Sequence, residues 1–198
     1  PPPRDSDAQE AVWAALKDGT FQTFSSDHAP YQFNAGGKIP KGDKTTFKEM
    51  ANGVPGIEIR MPLLFSEGVQ KGRITLQQFV ALTATNHARL YGLYPRKGTI
   101  AVGSDADFAI WDADKEVTLE WKDLHDNVGY TPYAGRQIKG WPITVVSRGR
   151  VVVEDGKLNA ARGSGQFLPC ASPDSSKPIG QAAPELQAMS RFGAKPLF

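Results

Sequence analysis

"RDSDAQEAVWAALKDGTFQTFSSDHAPY", residues 4–31, carries the decision about the fold. Its first half has acids and Ser at the start, good helix formers within and Lys17 just ahead of Gly19, which is the composition of a capped helix. "TFQTFSS", residues 20–26, follows at once. It is rich in Phe and Thr and too short for a helix, so it predicts a buried strand reached through a short loop. Asp27 and His28 stand directly after it. Helix, strand, acid is one step of a barrel or open sheet, and in a barrel of parallel strands the catalytic groups project from the C-terminal strand ends. A carboxylate placed there can coordinate a divalent metal and take a proton from water bound to it. On pattern alone the same Asp also reads as the cap of a turn.

Working outward, a long loop is expected from about His28 to Pro55, with Gly at 36, 37, 42 and 53 and a small basic cluster at Lys38, Lys41 and Lys44. Loops of that length are functional or disordered. "GIEIRMPLLFSEGVQKG" predicts a helix with Ile57, Met61, Leu64 and Phe65 on one face and Pro62 in its first turn or at a kink. "TLQQFVALTATNHARLYGL" predicts another, with Thr75 as N-cap, Leu76, Phe79, Val80, Leu82 and Leu90 among its apolar positions and Gly92 ending it. Beyond Pro95, "GTIAVGSDADFAIWD" and "WPITVVSRGRVVVEDGKL" are short β-branched segments punctuated by Gly and Asp-Gly turns. From about Ala160 the chain is rich in Gly, Pro and Ser and predicts an extended tail, within which "PELQAMSRF" has the makings of a helical turn or two.

The 198 residues hold 23 basic and 21 acidic side chains, for a formal net charge of +2, with no long run of either sign. That balance does not recommend nucleic acid or a membrane surface as partner and leaves small-molecule chemistry as the better reading. A single cysteine, Cys170, excludes an internal disulfide framework and a Cys-built metal site, and fits a reducing compartment. No stretch resembles a signal peptide or a membrane span. A soluble, cytoplasmic protein is expected. The opening "PPPRD", without an initiating Met, reads as cut from something longer.

"SSDHAPY", then "ANGVPGIEIRMPLLFSEGV", "GTIAVGSDADFAIWD" and "NVGYTPYAGRQIKGWP", together resemble the C-terminal part of the dihydropyrimidinases and hydantoinases of the amidohydrolase superfamily. The third motif alone would mark the wider superfamily, and "SDHAP" is shared with dihydroorotases and allantoinases. The second and fourth together narrow the resemblance to the dihydropyrimidinase branch.

It implies an α/β fold: residues 1–95 as the C-terminal part of a TIM-like metal-dependent hydrolase barrel, 96–160 as the C-terminal part of a composite β-sandwich, and 161–198 as an extended tail. It also implies hydrolytic opening of cyclic amides such as dihydropyrimidines and hydantoins by a metal-bridging hydroxide. The cofactors would be two divalent ions, usually zinc, with a carboxylated lysine upstream of this chain. By the same resemblance Asp27 is a metal ligand and the proton shuttle, Asn52 binds the cyclic amide through its main chain, and a homotetramer is the expected assembly.

One departure is large. Family members carry an HxH pair and further histidines upstream, whereas this sequence has His28, His87 and His125 and no HxH. One carboxylate does not hold two metals, so the isolated chain is expected to be inactive. A non-catalytic assembly protein resembling the collapsin response mediator proteins is the alternative, against which stands the retained Asp27, an acid those relatives lack.

Other residues have plainer readings. His28 reads as a turn histidine bound to backbone, against a role orienting Asp27. His87 and His125 read as surface or junction residues. Glu58 and Arg60 read as partners of a helix start, against substrate contact. Asp105 and Asp107 read as an Asx-type turn, against calcium. Lys38, Lys41 and Lys44 read as a solvated loop. Cys170 has no predicted partner to activate it, and Trp111, Trp121 and Trp141 read as core or subunit contact.

Overall fold

The computed structural model describes residues 4–173. The first element, α1, is Ser6–Asp18. Asp5 caps it by accepting from the Ala8 N–H at 2.8 Å, and Gly19 closes it in the left-handed conformation. Both ends are as the composition predicts, because the orphan N–H groups of a first turn need an acceptor and a C′ residue needs a positive φ.

The predicted strand over 20–26 does not form. The segment is extended but pairs with no strand, and its side chains are exposed or half-buried. A strand exists only as a partner of another, and here the backbone groups are taken by helices. Phe24 N–H donates to the Leu82 carbonyl at 3.0 Å, Arg60 Nη1 donates to the Phe24 carbonyl at 2.6 Å, and Asn86 Nδ2 to the Gln22 carbonyl at 2.8 Å.

Helix α2 is Arg60–Leu64 and passes without a break into a π-helical turn, Phe65–Gln70. Pro62 sits in the first turn, where its missing N–H costs nothing. Helix α3, Leu76–Val80, opens on a capping box: Thr75 accepts from the Gln78 N–H and the Gln78 side chain accepts from the Thr75 N–H. A second π-helical turn, Ala81–Thr85, joins it to α4, Asn86–Leu90, so 76–90 is one rod. Phe79 and Leu82 face inward, while Leu76, Val80 and Leu90 stay exposed.

The strands are β1 Phe108–Thr118, β2 Gln137–Ser147, β3 Arg150–Glu154 and β4 Lys157–Leu158, an antiparallel meander in that order. Two-residue turns at Arg148-Gly149 and Asp155-Gly156 close the last two hairpins, each with positive φ at both positions, as the twist of antiparallel strands prefers. The β1–β2 ladder shifts register between Ile110 and Trp111, where Trp111 faces Pro142; a residue without an N–H is tolerated at such a bulge.

Helices and sheet share a core. Leu16, Leu64, Phe65, Ile74, Phe79 and Leu82 form one cluster, with Trp111 from β1 packed against it. Phe65 stacks on Trp111 with ring centroids 5.0 Å apart. Gly140 of β2 makes room, since a Cβ there would fall 2.3 Å from the Phe65 ring. Ile59, Leu119 and Ile138 form a second cluster, with Trp141 packed against it. Trp111 and Trp141 are thus core residues, whereas Trp121 is exposed. Residues 161–173 run without helix or strand, and Ala171 N–H donates to the Gly92 carbonyl at 3.1 Å. "PELQAMSRF" lies outside the described residues.

Candidate active site

Asp27 ends the extended segment. It has a φ of +48°, a left-handed conformation that is sparsely populated by residues other than Gly and clusters at functional positions. Its side chain is exposed, and its carboxylate has no hydrogen bond or ion pair among the described residues. An acid that neither caps its turn nor pairs with a cation is available to an incoming group. The turn-cap reading of Asp27 therefore has no hydrogen bond behind it.

The residues just after Asp27 are stitched to the "ANGVPGI" segment. Ala29 N–H donates to the Val54 carbonyl at 3.1 Å. His28 Nδ1 accepts from the Gly56 N–H at 3.0 Å and lies 3.3 Å from the Ile57 N. The imidazole therefore carries its proton on Nε2 and holds the lead-in to α2, which is the backbone-bound reading of this histidine. Gly53 is pressed on Ala29: a Cβ on Gly53 would sit 2.4 Å from the Ala29 Cβ, and its φ is +97°. Only glycine fits there.

These contacts bring Asn52, one residue from Gly53, to the same end of the molecule as Asp27. Asn52 is exposed. Its main-chain N–H and C=O, which belong to the two successive peptide units on either side of its Cα, have no partner among the described residues, so a free donor and a free acceptor stand open beside the acid.

Lys38 departs from the solvated-loop reading. It is 8% exposed, and its Nζ donates to the Ala51 carbonyl at 2.8 Å and to the Gly53 carbonyl at 2.6 Å. Composition placed it with Lys41 and Lys44, but only the folding back of the 32–42 loop decides that it turns inward. Lys41 pairs instead with Glu49, whose carboxyl is held below its ordinary range by that pair and by the Thr46 N–H. The loop itself docks on the "NVGY" stretch: Phe33 N–H donates to the Val128 carbonyl at 3.3 Å, and the Phe33 and Tyr130 rings lie 5.3 Å apart. The Tyr130 hydroxyl is buried without a partner among the described residues, and burial, with the Asp126 charge, pushes its pKa up.

The remaining candidates are structural. Arg60 is half-buried under the Phe24 carbonyl, and burial lowers its guanidinium pKa. His87 Nε2 lies 3.2 Å from the same carbonyl, and its ring stacks on Tyr91. Glu58 accepts from the His125 N–H at 2.8 Å and meets the His125 ring at 2.9 Å, joining α2 to the β1–β2 connection rather than capping a helix. Asp105 and Asp107 do not form an Asx turn: both close on Lys97, with Lys97 Nζ 3.0 Å from Asp105 and Arg96 Nε 3.1 Å from it. Cys170 is exposed and free.

As for a metal, no three His, Cys, Asp or Glu side chains converge among the described residues. Asp27 offers one carboxylate, unpartnered among the described residues, as a donor. It does not make a centre by itself.

No helix among the described residues is long and apolar enough to cross a membrane. The Amidohydrolase family profile matches residues 5–152. The chain is 44% identical to the D-hydantoinase of Rhizobium radiobacter over 167 residues, 84% of this chain and 36% of that protein. It is 40% identical to a D-phenylhydantoinase of Escherichia coli over 168 residues, 85% of this chain and 36% of that one. The crystal structure of the dihydropyrimidinase of Brevibacillus agri superposes with a TM-score of 0.83 at 43% identity, covering 87% of this chain and 37% of that one. The L-hydantoinase of Arthrobacter aurescens superposes with a TM-score of 0.74 at 34% identity, covering 84% of this chain and 36% of that one. The chain thus spans about 36% of the length of the curated relatives it matches.

Proposed function

The chain belongs to the amidohydrolase family, and we propose that it carries the acid-bearing part of a hydrolase that opens cyclic amides of the dihydropyrimidine and hydantoin kind. The observation behind this is the pairing of a strained, exposed and unpartnered carboxylate at Asp27 with the open peptide of Asn52, on segments that Ala29, Gly53 and His28 lock together. The strong similarity to D-hydantoinases supports the substrate class.

In this reading residues 1–95 are barrel, 96–160 belong to a β-sandwich, and Phe21, Val54, Ile57, Leu76 and Val80, all exposed in the chain, pack against the rest of the barrel. Asn52 N–H and C=O hold the complementary amide of the substrate ring. Asp27 takes a proton from the attacking water and delivers it to the departing ring nitrogen, acting first as base and then as acid. Divalent metal ions, probed as zinc, supply Lewis acidity and lower the pKa of that water. By itself the chain offers Asp27 as a single donor, so turnover belongs to the completed barrel. A homotetramer is the proposed assembly.

The test is a chimaera that joins this chain to the part of the R. radiobacter D-hydantoinase outside the matched region. Zinc content, dihydrouracil opening and hydantoin opening are measured, then repeated for Asp27→Ala. Loss of turnover by a factor of about 10³ or more in Asp27→Ala is expected for a group that moves the reacting proton. Unchanged turnover in Asp27→Ala refutes the assignment, and a wild-type chimaera that binds zinc but opens neither ring refutes the function.

A further inference from the structure

We propose that Lys38 is a positioning residue that aims and strengthens the main-chain donor of Asn52. This rests on the reading of Asn52 as the amide-binding peptide. Lys38 Nζ donates to the carbonyls of Ala51 and Gly53, at 2.8 Å and 2.6 Å, so one ammonium straddles Asn52. The Ala51 carbonyl and the Asn52 N–H belong to the same peptide unit. That unit is trans, the single cis bond among the described residues being Tyr94–Pro95. In a trans peptide C=O and N–H point in opposite directions. With its carbonyl turned toward buried Lys38, the unit must direct the Asn52 N–H away from the interior.

The same contact polarises the peptide. A charge-assisted bond at the carbonyl draws electron density from the nitrogen, and hydrogen bonds in a chain reinforce one another in a low dielectric. The Asn52 N–H becomes a better donor to a substrate carbonyl than a free peptide would be. The second bond, to Gly53, fixes the far side, so the Asn52 unit cannot rotate to satisfy itself internally. No carboxylate pairs with Lys38 among the described residues. Burying an ammonium without a counter-ion is costly, and surface loops do not ordinarily hold one.

Lys38 is itself held firmly. Its N–H donates to the Gln32 carbonyl at 2.8 Å, flanked by bonds from Gly37 N–H and Ile39 N–H to the Asn34 carbonyl, each 3.1 Å. A Cβ on Gly37 would collide with the Gln32 carbonyl at 2.3 Å. The lysine therefore reaches Asn52 from a closed knot of backbone.

The experiment uses the chimaera described above. Lys38→Met removes both donors while keeping the side-chain volume. KM for dihydrouracil is expected to rise about tenfold with kcat changed by less than about threefold and zinc content unchanged, because the lost contact serves ground and transition states alike. Lys38→Ala with added propylamine is the second variant; the amine is expected to bring KM back down. In the 198-residue chain, base-catalysed amide exchange at Asn52 is expected to slow in Lys38→Met, because the unpartnered N–H loses the cation on its own carbonyl that made it more acidic.

An active chimaera whose Lys38→Met keeps the wild-type KM overturns the role of Lys38 and leaves the proposed function standing. A zinc-loaded wild type with no ring opening overturns both. If neither variant folds even with amine, the lysine is structural and the proposal falls.

Discussion

Gly53 and Ala29 touch across the two segments of the site, so closely that a Cβ on Gly53 would lie 2.4 Å from the Ala29 Cβ, and Gly53 holds a φ of +97°. The contact sets the distance between the Asp27 turn and the Asn52 peptide. Gly53→Ala meets both penalties at once, a left-handed backbone with a side chain and an overpacked contact, and is expected to cost about 2–4 kcal/mol. Gly56→Ala, with nothing within 4 Å of the added carbon, is expected to stay within about 0.5 kcal/mol. Denaturant titration of the two variants checks this. Equal midpoints would mean that the segments slide apart freely.

His28 is predicted to act through its Nδ1 lone pair. His28→Phe keeps a ring and leaves the Gly56 and Ile57 N–H groups without their acceptor, at an expected cost of about 1–3 kcal/mol. His28→Asn, which places an oxygen near the same point, should recover most of it. Amide exchange at residues 56 and 57 reads the effect directly: protection kept in His28→Phe contradicts the role.

Lys97 is predicted to hold the loop before β1 in a pH-dependent way. The Lys97 hydrogen bond lowers the Asp105 carboxyl, against some burial. For Asp107, burial pushes upward but is outweighed by the Lys97 and Arg148 N–H bonds, so its pKa is also lowered. Burial pulls Lys97 down, and its two carboxylate bonds outweigh that to leave it raised. For carboxyls depressed by folding, the stabilisation is present above their unfolded pKa of about 4 and is lost as pH falls through the folded values. The thermal midpoint of Lys97→Met should therefore lie below wild type near neutrality and converge with it as the pH falls through the depressed folded values of the two carboxyls. A gap that persists in acid would point to packing of the lysine stem instead.

Much of this was legible in the sequence because it is local. Asp5 and Thr75 cap helices through contacts three residues away, and Gly19 ends one through its own left-handed backbone. Pro62 announces a first turn, and Arg148-Gly149 and Asp155-Gly156 announce hairpins. Asp27 and Asn52 were found through motifs that resemble a family, and the family match bears that resemblance out. The π-helical turns at Phe65–Gln70 and Ala81–Thr85 left no mark in the apolar periodicity.

What the sequence determined by itself was where helices and hairpins begin and end, since capping and turn conformation depend on near neighbours. Tertiary structure alone decided which partner each polar group finds. It took residues 20–26 out of the role of a paired strand by giving the Phe24 carbonyl to Arg60 and His87, and it closed Asp105 and Asp107 on Lys97. It also turned Lys38 inward, 13 residues from the carbonyl of Ala51. A hydrogen-bonding group reports its chemistry in one letter, but its partner is set by where the chain folds back.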